Sequence, residues 1–86
     1  MNNQNTFNPD YAIHPGEILE ETLEARGITK VDFAQRCGIT PKTVSQIIGK
    51  NAPVTPEMAI QFERVLGVSS SIWNNLNASW ELAEAK

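Results

Sequence analysis

Prolines and glycines alternate along this chain in a pattern that fixes where helices can begin and end. Pro15, Pro41 and Pro56 suit the first turn of a helix, because the N–H that proline lacks has no partner there. After each start, apolar residues recur at helical spacing, and no segment alternates as a strand does. The pattern predicts an all-α fold of five helices, four of which end at a glycine: Gly27, Gly38, Gly49 and Gly67.

Hydroxyl side chains stand directly before four of these helices. The side-chain oxygen of such a residue can accept a hydrogen bond from a free backbone N–H of the first turn. Asp32 lies three residues after the first of them and would complete a short capping box. The expected cap residues are Thr29, Thr40, Thr55 and Ser69.

The segment from Lys30 to Gly49 has the spacing of a helix-turn-helix. Ala34 is small where two helices would cross, Gly38 lies at a turn that needs a positive φ, and Val44 anchors the second helix. Further apolar residues stand where such a unit buries them, at Phe33, Cys37, Ile39 and Ile47. This spacing predicts a unit whose second helix lies in the major groove of DNA.

Charge is distributed unevenly along the chain. The net charge is −3, yet residues 26–50 hold five basic residues and one acidic residue, which leaves +4 there and −7 on the rest. A basic middle flanked by acidic helices indicates one face turned towards nucleic acid. The five basic residues are Arg26, Lys30, Arg36, Lys42 and Lys50. The alternative is that they cluster by chance on an ordinary solvated surface.

The predicted DNA-reading residues follow from the geometry of the third helix. Val44, Ile47 and Ile48 are expected in the core, which leaves the polar positions facing outward. Lys42 can donate to the acceptor pair of guanine, and Gln46 can pair with adenine. With the neighbours that would contact phosphate, the expected DNA-binding residues are Lys30, Thr40, Lys42, Thr43, Ser45, Gln46, Lys50 and Asn51.

Dimerisation is expected because a chain of 86 residues buries only a modest core. A two-fold dimer would read a palindromic operator with half-sites about one helical turn apart. If four cations of each protomer neutralise phosphate, the log binding constant should fall with log salt concentration with a slope of about −7. These cations are Lys30, Arg36, Lys42 and Lys50. The expected dimer surface is an apolar stripe on the fifth helix, made of Ile72, Trp73, Leu76 and Trp80. The alternative is that both tryptophans pack inside the protomer.

No residue pattern indicates catalysis, a metal site or a cofactor. His14 is the only histidine, and no set of Cys, His or carboxylate residues accompanies it, so we expect it to serve the start of the first helix. Cys37 is the only cysteine, which excludes an intramolecular disulfide. We expect Cys37 to be an apolar core residue.

The segment organisation is simple. The first ten residues are polar and carry no signal region, and no apolar run is long enough to span a membrane. We therefore expect a cytoplasmic protein with no membrane partner. Residues 1–12, rich in Asn, are expected to form a flexible N-terminal arm, and residues 13–86 a single helix-turn-helix domain for DNA binding and dimerisation.

Two segments that flank the predicted unit carry a family resemblance. They are HPGEILEETLEARGIT and PVTPEMAIQFERVLGVSSSIWNNLNASWELA, the second with Trp73, Leu76 and Asn77. From about Ile13 to Ala83 the chain resembles the HigA-type antitoxins of the XRE family of phage-repressor-like proteins. The resemblance implies a five-helix, lambda-repressor-like DNA-binding domain that dimerises, represses its own operon and neutralises a HigB-like RNA-cleaving toxin.

The resemblance also bears on individual residues. In related repressors the early positions of the third helix read bases, and here these are Lys42, Thr43 and Gln46. Pro41 replaces a residue that often contacts DNA in those relatives, so their base code does not transfer. A toxin would meet either the N-terminal arm or the acidic first helix, whose carboxylates are Glu17, Glu20, Glu21 and Glu24.

Two other functions stay open at this point. One is a transcriptional repressor on the same scaffold without a toxin partner, which only the search for a toxin separates from an antitoxin. The other is a helix-turn-helix reused as a protein-interaction module. That module would show no salt-sensitive DNA binding, and Lys42→Ala would leave its function unchanged.

Overall fold

The computed structural model describes residues 12–85, which form five α-helices and no strand. The helices are α1 (Pro15–Arg26), α2 (Lys30–Cys37), α3 (Pro41–Ile48), α4 (Pro56–Leu66) and α5 (Ser70–Glu84). The prediction of an all-α, five-helix fold is therefore confirmed. The expected N-terminal arm lies outside the described residues, apart from Ala12. None of the described helices combines the length and the apolar composition needed to cross a membrane.

Threonine hydroxyls start three of the helices as predicted. Thr29, Thr40 and Thr55 each accept a hydrogen bond from the backbone N–H three residues later, at 3.0, 3.1 and 3.2 Å. The expected capping box at α2 is wrong in its second half. The Asp32 carboxylate pairs with Arg36 one helical turn later, with 3.2 Å between Oδ2 and Nη2, instead of bonding the Thr29 backbone. Because the Asp32 side chain is short, the guanidinium of Arg36 at i+4 is easier to reach than the Thr29 backbone N–H.

A single apolar core joins the helices. Phe62 of α4 lies between Phe33 of α2 and Trp73 of α5, with ring centroids 5.0 and 5.2 Å apart in edge-on geometry. Such pairs contribute about 0.5–1.5 kcal/mol each beyond the area they bury. The aromatic series therefore fixes the helix-turn-helix to the C-terminal helices. The buried apolar residues are Leu19, Leu23, Phe33, Ala34, Cys37, Val44, Ile47, Val54, Ala59, Phe62, Leu66 and Trp73.

Trp73 lies inside the protomer, which corrects its expected place in a dimer surface. Its exposure is 0%, so the side chain has no area to offer a second chain. The apolar stripe of α5 is split because Trp73 faces Phe62 while its neighbour Ile72 faces solvent. Among residues 12–85 the buried indole N–H of Trp73 has no hydrogen-bond partner, a cost that burial of the ring outweighs.

The start of α1 packs directly against the end of α3. An added Cβ at Gly16 would collide with the carbonyl oxygen of Ile47, so this close approach requires glycine. His14 is the N-cap of α1, and its Nδ1 accepts a hydrogen bond from the Gly16 N–H at 2.9 Å. The expected structural role of His14 is confirmed. The His-Pro-Gly segment thus joins α1 to the C-terminal end of α3.

Candidate nucleic-acid interface

Helices α2 and α3 form the predicted helix-turn-helix. Gly38 has φ 72° at the turn, and the Ile39 N–H donates to the Ala34 carbonyl at 3.0 Å, which closes α2 and directs the chain into α3. The space beside Gly38 is open, so its role is conformational rather than steric. Ala34 and Val44 are fully buried. Each position of the predicted unit therefore has the environment that its spacing requires.

One face of α3 is exposed and polar. Lys42, Ser45 and Gln46 lie on this face, and Thr43 beside them is half-buried. The opposite face is in the core. This burial agrees with the outward face expected from the sequence, while contact with DNA stays a prediction. The inward residues are Val44, Ile47 and the partly buried Ile48.

Two hydroxyl groups are fixed at the start of α3. The Thr40 Oγ1 accepts a hydrogen bond from the Thr43 N–H at 3.1 Å and lies 2.9 Å from the Thr43 Oγ1. One of the two O–H groups donates to the other, which leaves the remaining O–H free to donate outward. The pair can therefore offer a positioned donor to a phosphate or a base edge. Pro41 and Lys42 beside it are exposed.

The four cations expected to neutralise phosphate fall into two classes. Arg36 pairs with Asp32 at 3.2 Å, and Lys50 pairs with Glu17 at 3.2 Å between Nζ and Oε2. Within residues 12–85, the other two cations, Lys30 and Lys42, have no carboxylate oxygen within 4.0 Å. The paired side chains are about half exposed, so each pair stabilises the fold little. Together the two pairs reduce the unpaired cations from four to two.

The loop between α3 and α4, residues 49–55, is held from two sides. Lys50 has a left-handed φ of 65°, and its ammonium lies 5.8 Å from the centroid of the Trp80 ring as well as against Glu17. At the other end of the loop, the Val54 N–H donates to the Asn77 Oδ1 at 3.0 Å. Sequence reasoning assigned Lys50 to DNA and gave Asn77 no role. The Leu76-Asn77 pair within the family-like segment was the available signal.

A groove of about 450 Å³ lies between this loop and α5. Its lining includes His14, Lys50, Asn77 and Trp80. The His14 ring meets the Trp80 ring edge-on with centroids 5.1 Å apart. Burial, and next the Lys50 cation, lower the pKa of His14 below 6.5, while Glu17 and a hydrogen bond with the Ala52 backbone oppose this shift. His14 is therefore a neutral imidazole at neutral pH.

Apart from the buried Trp73, α5 still carries apolar residues that are exposed or half-buried. Ile72 is 48% exposed, and Leu76 and Trp80 are half-buried. Trp80 contacts His14 and Lys50 and is otherwise partly exposed, so part of its surface stays available to a second chain. The expected dimer stripe is thus reduced to Ile72, Leu76 and Trp80, and their contact with another protomer stays a prediction.

Cys37 and the acidic residues form no chemical site in the described chain. Cys37 is buried as expected for a core residue, and burial raises the pKa of its thiol to about 11. The thiolate that a nucleophile requires is therefore scarce at neutral pH. Among residues 12–85, no three His, Cys, Asp or Glu side chains converge in a way that could hold a metal ion.

Comparison with known proteins identifies the family. The family model described as "Helix-turn-helix" matches residues 19–73, from the middle of α1 to the start of α5. The chain is 40% identical over 72 residues to the helix-turn-helix-type transcriptional regulator YddM of Escherichia coli K12, covering 84% of this chain and 77% of that protein.

Solved structures share the same fold. The antitoxin HigA of Pseudomonas aeruginosa, solved with the higBA promoter, is 33% identical with a TM-score of 0.81, covering 86% of this chain and 82% of HigA. A putative antidote protein of a plasmid maintenance system from Nostoc punctiforme is 30% identical with a TM-score of 0.81, covering 85% of this chain and 80% of that one. The chain belongs to the XRE-type helix-turn-helix family, and its structural neighbours are HigA-type antitoxins.

Proposed function

We propose that this protein is the antitoxin of a type II toxin–antitoxin system, which binds palindromic operator DNA as a dimer and represses its own operon. The observation that carries the DNA-binding part is the exposed polar face of α3, held by a buried helix-turn-helix. The antitoxin part is supported by the likeness to HigA of Pseudomonas aeruginosa, which was solved with its promoter.

In this proposal α3 lies in the major groove and its exposed face reads bases. Lys42 donates to guanine and Gln46 pairs with adenine, because their side chains carry the complementary donors and acceptors. Lys30, at the first turn of α2, contacts the phosphate backbone. The interface is completed by the hydroxyl pair of Thr40 and Thr43 and by Ser45 and Asn51. Lys50 lies at its edge, where the ion pair with Glu17 cancels the charge of the ammonium.

The dimer in this proposal forms through α5. Ile72, Leu76 and Trp80 supply apolar area that the protomer leaves exposed or half-buried. Burying it against the same stripe of a second chain would give a two-fold interface. The spacing between the two copies of α3 would then set the spacing of operator half-sites.

A HigB-like toxin would bind the acidic face of α1. Glu20, Glu21 and Glu24 are exposed along that helix and suit a basic partner. Glu17 is a weaker candidate, because its carboxylate is already paired with Lys50. This surface leaves the exposed face of α3 free, so toxin and DNA could be bound together.

A stand-alone transcriptional repressor is the second candidate function. It is favoured by the 40% identity to YddM, which is described as a transcriptional regulator and not as an antitoxin. Both candidates bind DNA with the same residues. They differ only in whether a toxin accompanies the protein.

Affinity capture from the native cells, followed by mass spectrometry and DNA sequencing of the eluate, separates the candidates. The antitoxin predicts a stoichiometric small basic protein that is encoded beside this gene and is toxic when expressed alone. A palindromic DNA fragment without a protein partner would leave the repressor and contradict the antitoxin. Charge reversal at Glu20, Glu21 and Glu24, with toxin neutralisation as the readout, then tests the α1 surface.

A further inference from the structure

We infer that Asn77 of α5 is a positioning residue for DNA reading: through the loop after α3, it holds the last turn of that helix and so aims Gln46. The inference rests on the DNA-binding part of the proposed function. It concerns a residue that lies outside the helix-turn-helix and 31 positions after Gln46 in the sequence.

The Asn77 amide has a defined orientation. Its Oδ1 accepts a hydrogen bond from the Val54 N–H at 3.0 Å, and its Nδ2 donates to the Glu81 Oε2 at 3.2 Å. A reversed amide would place donor against donor at Val54 and acceptor against acceptor at Glu81. Val54 is 1% exposed, so water has little access to replace the bond that Asn77 makes. Asn77 is therefore a fixed support for the end of the loop.

The loop in turn completes α3. The Gly49, Lys50 and Asn51 N–H groups donate to carbonyls of the helix at 2.9, 3.0 and 2.8 Å, and the Asn51 donor bonds the carbonyl of Gln46 itself. A helix of eight residues depends on such bonds, because its last four carbonyls have no partner within the helix. The order of the last turn of α3 therefore depends on the position of the loop.

Lys50 shows that the loop is held against a local preference. Its φ of 65° is a conformation that a residue with a Cβ seldom adopts. The bonds from the Lys50 and Asn51 N–H groups to the end of α3 offset this strain, and contacts outside the loop add to them. The Lys50 ammonium contacts Glu17 and Trp80, and the Asn77 bond to Val54 holds the far end of the loop. Removing the Asn77 acceptor leaves the Val54 N–H unpaired and lets the loop relax away from α3.

The consequence for DNA reading is confined to one end of α3. Gln46 lies in the last turn, whose carbonyls the loop bonds. Lys42 lies in the first turn, which the Thr40 hydroxyl holds independently of the loop. Loss of the Asn77 support should therefore weaken reading of the base that Gln46 contacts and leave reading at Lys42 unchanged.

The test uses a DNA duplex selected from a random pool by the full-length wild-type protein. Binding of this duplex, of its single-base variants and of an unrelated duplex is measured by fluorescence anisotropy. Asn77→Leu keeps the branched shape of the side chain and removes the acceptor, whereas Asn74→Leu makes the same change at an exposed position of α5. We expect Asn77→Leu to bind the selected duplex about tenfold more weakly and the unrelated duplex as wild type does.

Rescue and base specificity distinguish positioning from stability. Asn77→Asp in a Glu81→Gln background restores the acceptor without placing two carboxylates together, and it should restore affinity. Gln46→Ala and Lys42→Ala first show which base of the duplex each of the two side chains reads. In Asn77→Leu, changing the base read by Gln46 should then weaken binding only slightly. Changing the base read by Lys42 should weaken binding as much as it does in the wild type. Asn77→Ala provides the same readout if Asn77→Leu does not fold.

Three results would overturn the inference. They are wild-type affinity in Asn77→Leu, an equal loss of discrimination at every base of the duplex, and an affinity loss that Asn74→Leu shares. If the wild-type protein selects no duplex, the proposed DNA binding itself fails. A wild-type protein that selects a duplex which Asn77→Leu binds equally well refutes only the role of Asn77.

Discussion

The Lys50 ammonium lies 3.2 Å from the Glu17 carboxylate, so the start of α1 neutralises the cation that directly follows α3. Gly16 makes this pairing possible, because the absence of a side chain there lets α1 approach the end of α3. The same approach places His14 beside the loop. The His-Pro-Gly-Glu segment therefore shapes the charge of the candidate DNA interface as well as the start of a helix.

The salt dependence of DNA binding should reflect this pairing. Lys30 and Lys42 have no carboxylate partner in the described part of the chain, which gives a dimer four unpaired cations. The slope of the log binding constant against log salt concentration should therefore be about −4 rather than about −7. Glu17→Gln frees Lys50 in both protomers and should steepen the slope by about two units if Lys50 then contacts phosphate. Affinities measured from 50 to 300 mM salt check this, with Glu20→Gln as the control. A slope of about −7 in the wild type would show that Lys50 and Arg36 leave their carboxylates on binding.

Stability should fall as the pH drops below 6.5, the ordinary pKa of histidine. The folded protein lowers the pKa of His14, so the unfolded chain binds the proton more tightly and acid favours unfolding. The charged groups facing the imidazole are Lys50, which strengthens the shift, and Glu17, which opposes it. Urea unfolding at pH 7.5, 6.5 and 5.5 measures the effect.

His14→Asn is the matched variant for that experiment. Asparagine can cap α1 in place of the imidazole but does not titrate. The variant should be less stable at every pH, because it loses the contact with Trp80, and its stability should vary less between pH 7.5 and 5.5. An unchanged pH dependence in His14→Asn would show that another group is responsible.

Trp73 should behave as a core residue and not as an interface residue. Trp73→Ala should lower the free energy of unfolding by about 3–5 kcal/mol, as expected for a large buried ring. Trp73→Phe should cost much less, because it also removes an indole N–H for which the described residues offer no partner. Denaturation and light scattering check both variants. A Trp73→Phe protein that folds as a monomer while the wild type is a dimer would contradict the buried position.

Local signals predicted the fold well, because each acts over a few residues. The Thr40-Pro41 and Thr55-Pro56 starts and the Gly38 turn depend only on neighbouring backbone groups, and the helix bounds agree with them. The outward face of α3 followed from periodicity in the same way. These features required no knowledge of how the helices pack together.

The remaining features depend on contacts between distant parts of the chain. The apolar stripe of α5 marks residues that avoid water, but only the packing of α5 on α4 decides that Trp73 faces Phe62 while Ile72 faces solvent. Lys50 meets Glu17 across 33 positions because Gly16 lets two helices approach. The bond from Val54 to Asn77 likewise joins a loop to a helix, and the family-like segment marks Asn77 without revealing this partner.

Alanine substitution on the exposed face of α3 tests the central claim of DNA reading most directly. Lys42→Ala should weaken binding of a selected duplex by about 1–3 kcal/mol and relax discrimination at one base pair of each half-site. Thermal stability should stay unchanged, because the side chain is exposed. Arg64→Ala on α4 removes the same charge away from α3 and serves as the control. Equal losses in both variants, or wild-type affinity in Lys42→Ala, would contradict base reading by α3.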